Sequence, residues 1–440
     1  MSCFRFLAAV TVATALLGGE LLAGAETGGL GQTAEPPPPA QPADIEELER
    51  RLDVLAAEVE RLRSGETSEI GLTDDEARAL GLAPSAAATY RQTQGVSIAG
   101  YGEMLYQNFA SEDERGKPTP GGTQLDFLRA VIYAGYRFND RFLFNSEIEL
   151  EHANEISVEF AYIDYLAHEH LGIRGGMLLV PMGLVNEFHE PTVFIGAKRP
   201  ETEQRIIPTT WRENGAGIHG SVDRLAYRAY VVNGLEATGF SANGIRGGRQ
   251  KGSKARAQDL AFVGRVDVTP VPGVFAGASL YTGGSGQGQI KVDGREVGVQ
   301  TTIFDLHGQA QIRGFDLRGL FGRTRLSDTA ELNEALGLTG SNGVAETMRG
   351  GYVQIGYNAL SQVASTDVAI TPYYRYERVD TQATMPEGFE RSLATDNAFK
   401  TIGVELKPIP NVVVKADYQW VTNDAQSGQN QFNLNLGYAF

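Results

Sequence analysis

From Gly95 to Phe440 apolar and polar residues alternate with a period of two, the pattern of a strand with one apolar and one wet face. Over 142–151, Phe142, Phe144, Ser146, Ile148 and Leu150 lie on one face and Leu143, Asn145, Glu147, Glu149 and Glu151 on the other. The same period runs through 302–313 and through 432–440. It predicts strands at 95–108, 123–138, 141–152, 156–168, 170–180, 214–222, 225–234, 258–269, 274–284, 300–313, 315–326, 348–358, 366–379, 397–407, 411–423 and 430–440. That makes sixteen, and most are long enough to cross a bilayer at a tilt, for which roughly 9–11 residues suffice. A soluble sandwich seldom sustains such alternation for so long, whereas a transmembrane barrel requires it. The gaps at 139–140, 223–224, 270–273, 314 and 408–410 are short, and those at 109–122, 181–213, 235–257, 327–347 and 380–396 are long. Short and long gaps alternate, as periplasmic turns and external loops do. The fold class is therefore all-β, a 16-stranded antiparallel transmembrane β-barrel with an N-terminal helical, coiled-coil periplasmic segment.

Before Gly95 the period changes. Ile45, Leu48, Leu52, Leu55, Val59 and Leu62 are spaced three and four apart and form one seam flanked by charges, a short coiled coil over 45–64. An amphipathic helix lying on its own domain has the same pattern. Thr73 and Glu76 make a capping box for a short helix that Gly81 and Pro84 close, and Ser85 to Gln94 follows as a linker, so 65–94 is short helix and linker. Residues 26–44 hold Pro36 to Pro39 and form a Pro-rich spacer. Residues 1–25 have the charged, apolar and small-residue regions of a cleaved signal peptide, which places the mature chain across the inner membrane. The barrel domain is 95–440.

Composition then narrows the chemistry. The formal charge of −16 argues against nucleic acid as a partner. After the N-terminus no apolar run reaches the ~18 residues of a spanning helix, which excludes a helical membrane protein but not a barrel. The one cysteine, Cys3, leaves with the signal, and disulfides or thiol chemistry leave with it. Of six histidines only His168 and His170 cluster, and the turn that holds them has no third ligand nearby, so a surface turn is the better reading. There is no nucleophile elbow or phosphate-binding loop. No catalytic residue, metal or cofactor is expected, and the chain reads as a non-enzyme.

The last strand ends Asn435-Leu436-Gly437-Tyr438-Ala439-Phe440, which resembles the assembly signal of outer-membrane barrels. Gly175-Gly176-Met177-Leu178-Leu179-Val180-Pro181-Met182-Gly183-Leu184 is similar to the segment preceding the third loop in the phosphate-selective porin O and P family. The stretches 351–357, 371–377 and 413–419 resemble later strands of that family, in order. The resemblance implies a trimeric outer-membrane channel with a narrowed lumen, often for anions. The dense inward Arg and Lys on which the family's anion channels depend is not evident here.

The longest gap, 181–213, is the expected inward-folded constriction loop. The candidate constriction and solute-binding residues are Lys198, Arg199, Arg205, Arg212, Glu187 and Glu190, joined by the lumen-facing Arg129, Arg313 and Arg375. Opposed charges there would orient a dipolar or carboxylated solute. A basic run, Arg246, Arg249, Lys251, Lys254 and Arg256, could draw in anions or bind lipopolysaccharide phosphates; a solvated loop explains it equally. The expected function is a passive porin for small hydrophilic solutes, general or anion-preferring (phosphate or carboxylates). Its partners would be those solutes or ions, outer-membrane lipid and lipopolysaccharide, and two further copies in a homotrimer. The alternative is a structural outer-membrane barrel with a closed lumen and a periplasmic coiled-coil tether.

Overall fold

The computed structural model describes residues 72–363 and 366–440. The predicted signal peptide, Pro-rich spacer and coiled coil lie outside the described residues. The strands are β1 (Gly95–Phe109), β2 (Gly122–Arg137), β3 (Phe142–Glu151), β4 (Glu155–His168), β5 (Leu171–Leu179), β6 (Arg212–Val222), β7 (Leu225–Asn233), β8 (Leu260–Val271) and β9 (Val274–Gly284). After a small hairpin, β10 (Lys291–Val292) with β11 (Arg295–Glu296), come β12 (Gln300–Ile312), β13 (Phe315–Leu326), β14 (Thr347–Tyr357), β15 (Ala369–Thr384), β16 (Asp396–Ile409), β17 (Val412–Asn423) and β18 (Gln431–Ala439). Apart from the hairpin they form one closed antiparallel barrel of sixteen strands in sequence order, in which β18 returns to pair with β1. Phe440 extends that closure through two 2.8 Å backbone bonds with Gly100. A Cβ at Gly100 would lie 2.7 Å from the Phe440 ring, so the glycine makes room for it.

Only β15 departs from its predicted span by more than two residues, running to Thr384 instead of 379. The polar stretch Asp380-Thr381-Gln382 reads as loop, yet it is buried and continues the ladder with β14 and β16.

Burial in this barrel inverts that of a water-soluble protein. Ile98, Leu125, Val353 and Ile402 are 69%, 69%, 63% and 53% exposed on the outer wall. Glu103, Arg129, Glu147, Glu149, Asp164, Arg228 and Lys415 are buried on the inner one. An apolar exterior around a charged interior suits surroundings of lipid outside and polar groups inside. No helix among the described residues is long and apolar enough to cross a membrane.

Two segments fill the interior. One is residues 73–94, with helices α1 (Asp74–Ala79) and α2 (Ala88–Arg91). The capping box holds as predicted: Thr73 Oγ1 accepts from the Glu76 N–H, and the Thr73 N–H donates to the Glu76 carboxylate at 2.8 Å. The expected linker 85–94 differs from its reading, because it is partly helical and packs against the inner wall. Ala86, Ala87 and Tyr90 are buried, and inner-wall side chains bond its polar groups. Asn145 donates to the Ala86 carbonyl at 2.9 Å, Arg137 to those of Tyr90 and Gln92 at 3.0 Å, and Asp164 accepts from the Tyr90 hydroxyl at 2.5 Å. Gly135 permits this approach, since a Cβ there would lie 1.9 Å from Thr89 Oγ1.

Candidate functional site

The second interior segment is the loop between β5 and β6, residues 180–211, which includes α3 (Thr202–Arg205). Asn186 joins its two feet: its Oδ1 accepts from the Trp211 N–H at 2.7 Å and its Nδ2 donates to the Val180 carbonyl at 2.7 Å. The Glu203 carboxylate accepts from the N–H groups of Leu184 and Val185, at 2.9 and 2.6 Å, and from the Tyr352 hydroxyl at 2.6 Å. Farther along, Lys407 donates to the Thr192 carbonyl at 2.8 Å, Lys415 to that of Phe194 at 2.6 Å, and Asp417 accepts from the Ala197 N–H at 2.8 Å. The loop is thus stapled to the inner wall from β12, where Asp305 accepts from the Gly183 N–H at 3.2 Å, to β17. Glu190 joins it to the N-terminal segment, accepting from the Ser85 N–H at 2.9 Å.

Residues 192–199 divide two cavities. Phe194, Ala197, Lys198 and Arg199 line one of about 240 Å³ toward the long loops, whose charged walls are completed by Arg129, Arg246, Glu103 and Glu151. Thr192, Val193 and Ile195 line another of about 430 Å³ toward the turns, where Arg78, Arg313, Arg318 and Lys407 meet Asp74, Asp316 and Glu405. Cations outnumber carboxylates in both linings, although the chain as a whole carries −16. Beside the loop-end cavity lies a third of about 400 Å³, formed by Glu201, Gln204, Arg205 and the 241–247 stretch.

The structure brings only part of the predicted set together. Arg129, Lys198 and Arg199 share one cavity and Arg205 borders the next, paired with Glu201 at 2.9 Å. Arg313 lies just past the end of β12 at Ile312, a left-handed turn residue (φ 51°) that borders the turn-end cavity. Arg212 pairs with Glu159 at 3.3 Å, and Arg375 donates to the Lys198 carbonyl at 3.4 Å. Both are buried supports. Glu187 and Glu190 are buried too, Glu187 lying 3.6 Å from Arg228. Of the basic run, Arg246 borders the loop-end cavities and Arg249 donates to the Pro208 carbonyl at 3.2 Å.

Sequence reasoning missed one buried polar cluster inside the barrel. Glu147, Glu159 and His189 come from β3, β4 and the inward loop, and their ligand atoms lie within 4.8 Å of one another. These are metal-ligand types, but two guanidinium groups border them: Arg212 pairs with Glu159, and Arg129 with Glu149 at 3.1 Å. Burial disfavours a charged imidazole, yet Glu147 and Glu159 overcome it and hold His189 at about 10, so the ring carries its own proton between them. The arrangement suits an ion-pair staple better than a cation site. The rings of His168 and His170 lie 5.4 Å apart, tilted to one another, on an exposed turn, as expected.

A closed sixteen-stranded barrel, with an apolar outer wall and a long loop folded inside, is the architecture of the outer-membrane porins. In a comparison of folds the chain resembles OprB of Pseudomonas putida (TM-score 0.53, 9% identity, 79% of this chain and 94% of that one). It also resembles a loop-deletion mutant of OmpT from Vibrio cholerae (0.52, 12%, 79% and 100%) and the channel DcaP of Acinetobacter baumannii (0.50, 11%, 78% and 97%). No family model matches the chain, so the narrower phosphate-selective family suggested by the motifs is not what the comparisons return. By sequence the chain is 38% identical over 354 residues to an uncharacterized protein of Aquifex aeolicus (strain VF5), covering 77% of this chain and 78% of that one, and it belongs to the same family.

Proposed function

We propose that the protein is an outer-membrane diffusion channel for small hydrophilic solutes, that it prefers anions such as phosphate or carboxylates, and that loop 180–211 forms its constriction. The reading rests on two cation-rich cavities that meet across residues 192–199 in a protein of strongly negative net charge. A hydrated anion leaving bulk water finds guanidinium and ammonium groups to replace part of its shell, while a cation meets repulsion at the same points. Conduction is passive and the chain is assigned no catalytic step, metal or cofactor. The inverted burial pattern supports a location in the outer membrane, reached by a cleaved signal peptide. Assembly as a homotrimer, aided by 45–64, completes the proposal.

Reversal potential in a salt gradient across a planar bilayer is the test. The wild type is expected to favour anions, and Lys198→Glu, Arg199→Glu and Arg205→Glu together to abolish or reverse that preference with the barrel intact. An unchanged reversal potential would remove these residues from the selectivity filter.

One observation favours a second reading. The N-terminal segment and the inward loop together occupy much of the lumen, as a structural barrel with a closed interior and a periplasmic tether would require. Absence of stepwise current from correctly folded protein would establish that reading and end the first.

A further inference from the structure

We propose that the outer wall carries a binding site for the phosphorylated headgroup of a lipid in the external leaflet, built by Arg323, Arg325, Arg349 and Arg378 at the loop ends of β13, β14 and β15. The proposal rests on reading the barrel as an outer-membrane protein.

The outward positions of β13 run Phe315, Leu317, Gly319, Phe321 and then Arg323 and Arg325, a change from apolar to cationic at one height. The adjoining strands change at the same end. On β14 the order toward the loops is Ile355, Val353, Gly351 and Arg349, and on β15 it is Tyr374, Tyr376 and Arg378. Phe321, Tyr374 and Tyr376 are 47%, 42% and 38% exposed just below the cations, where aromatic rings mark the boundary between acyl chains and headgroups. An arginine among acyl chains is strongly disfavoured, but at that boundary it is tolerated and meets phosphate.

Arg323 and Arg349 are direct partners across the β13–β14 ladder, and Gly351 faces Arg378 across the next. Like charges placed opposite one another on one face of a sheet repel, so the pair calls for an anion between them. The protein supplies little. Among the described residues the Arg323 and Arg325 side chains are exposed and make no hydrogen bond or ion pair. Arg349 reaches Asp380 only at 4.0 Å with its side chain 60% exposed. Arg378 is held by Asp396 at 2.8 Å and still leaves 60% of its side chain exposed. Guanidinium groups bind phosphate oxygens bidentately, and three of these forks have spare donors. A diphosphorylated glycolipid headgroup provides the complementary charge at the height where the arginines lie.

The test uses the full-length protein in detergent, with purified diphosphoryl lipid A, its dephosphorylated form, and inorganic phosphate at matched phosphorus concentration. Native mass spectrometry counts bound lipid, and thermal melting reads its effect. Wild type should retain diphosphoryl lipid A and melt several degrees higher with it. The variant Arg323→Gln, Arg325→Gln, Arg349→Gln should bind it at least tenfold more weakly. Equal retention by that variant, equal binding of dephosphorylated lipid to the wild type, or the same stabilisation by inorganic phosphate would each overturn the site. The wild-type comparison of the two lipids stands even if the triple variant does not fold. Conductance in bilayers made without lipid A should be the same for both proteins, so a failed channel and a failed lipid site are told apart.

Discussion

Glu190 joins the inward loop to the N-terminal segment, and the cost of burying its charge makes that junction sensitive to pH. Burial pushes its carboxyl up from 4.5 to about 7, against the opposing pull of the Ser85 N–H and hydroxyl. A carboxyl raised in the folded state favours folding at low pH, and that contribution fades as pH climbs from the ordinary value through 7. The range from 4.5 to about 7 corresponds to at most about 3 kcal/mol. Hydrogen exchange over 82–90, taken relative to the intrinsic chemical rate at each pH, should therefore speed up between pH 5.5 and 8.5 in the wild type. In Glu190→Gln the amide can accept from the Ser85 N–H and donate to its hydroxyl, and the rise should flatten. Arg174 works at the same junction: it pairs with Asp164 at 2.9 Å, donates to the Leu80 carbonyl at 3.3 Å and lies over the Tyr162 ring. Arg174→Met leaves a buried carboxylate short of its partner and should cost about 3 kcal/mol. Thermal melting checks it, and adding Asp164→Leu should recover part of the loss.

Residues 73–94 and 180–211 occupy the barrel's interior, and each is held to the wall by polar bonds together with buried apolar side chains such as Tyr90, Ile206 and Trp211. Such contacts can be undone without breaking the strand ladders beneath. Deleting 72–94 should raise single-channel conductance by about twofold, because α1 and α2 leave the turn half of the lumen while the inward loop stays in place. Unchanged conductance would mean that ions bypass this segment. The strands themselves were legible because alternation is local: lipid on one side and polar groups on the other fix each face residue by residue, as in β3 and β13. The inward loop was legible from length alone, since 33 structureless residues need somewhere to pack. The fate of 85–94 was not, because small apolar residues such as Ala86 and Ala87 fit a linker as well as a tight interface. The cluster of Glu147, Glu159 and His189 was hidden for another reason. Its members sit on three elements, and only barrel closure and loop infolding bring them together.

At the scale of the molecule two charges compete, the −16 of the chain and the cation excess of the cavity linings. Salt separates them by distance. At 0.01 M the screening length is about 30 Å, so carboxylates across the barrel and its loops act at the mouth and oppose anion entry. At 0.1 M it falls to about 10 Å, which silences distant charges and leaves Arg129, Lys198 and Arg199 at close range. At 1 M it is about 3 Å, and even lining residues act only on ions in contact. Anion preference measured by reversal potential should therefore rise from 0.01 to 0.1 M and fall again toward 1 M. Lys198→Glu, Arg199→Glu and Arg205→Glu should remove the maximum, because the nearby and distant charges then share one sign. A steady decline in the wild type over the whole range would mean that the net charge never reaches the pore, and that its linings alone set selectivity.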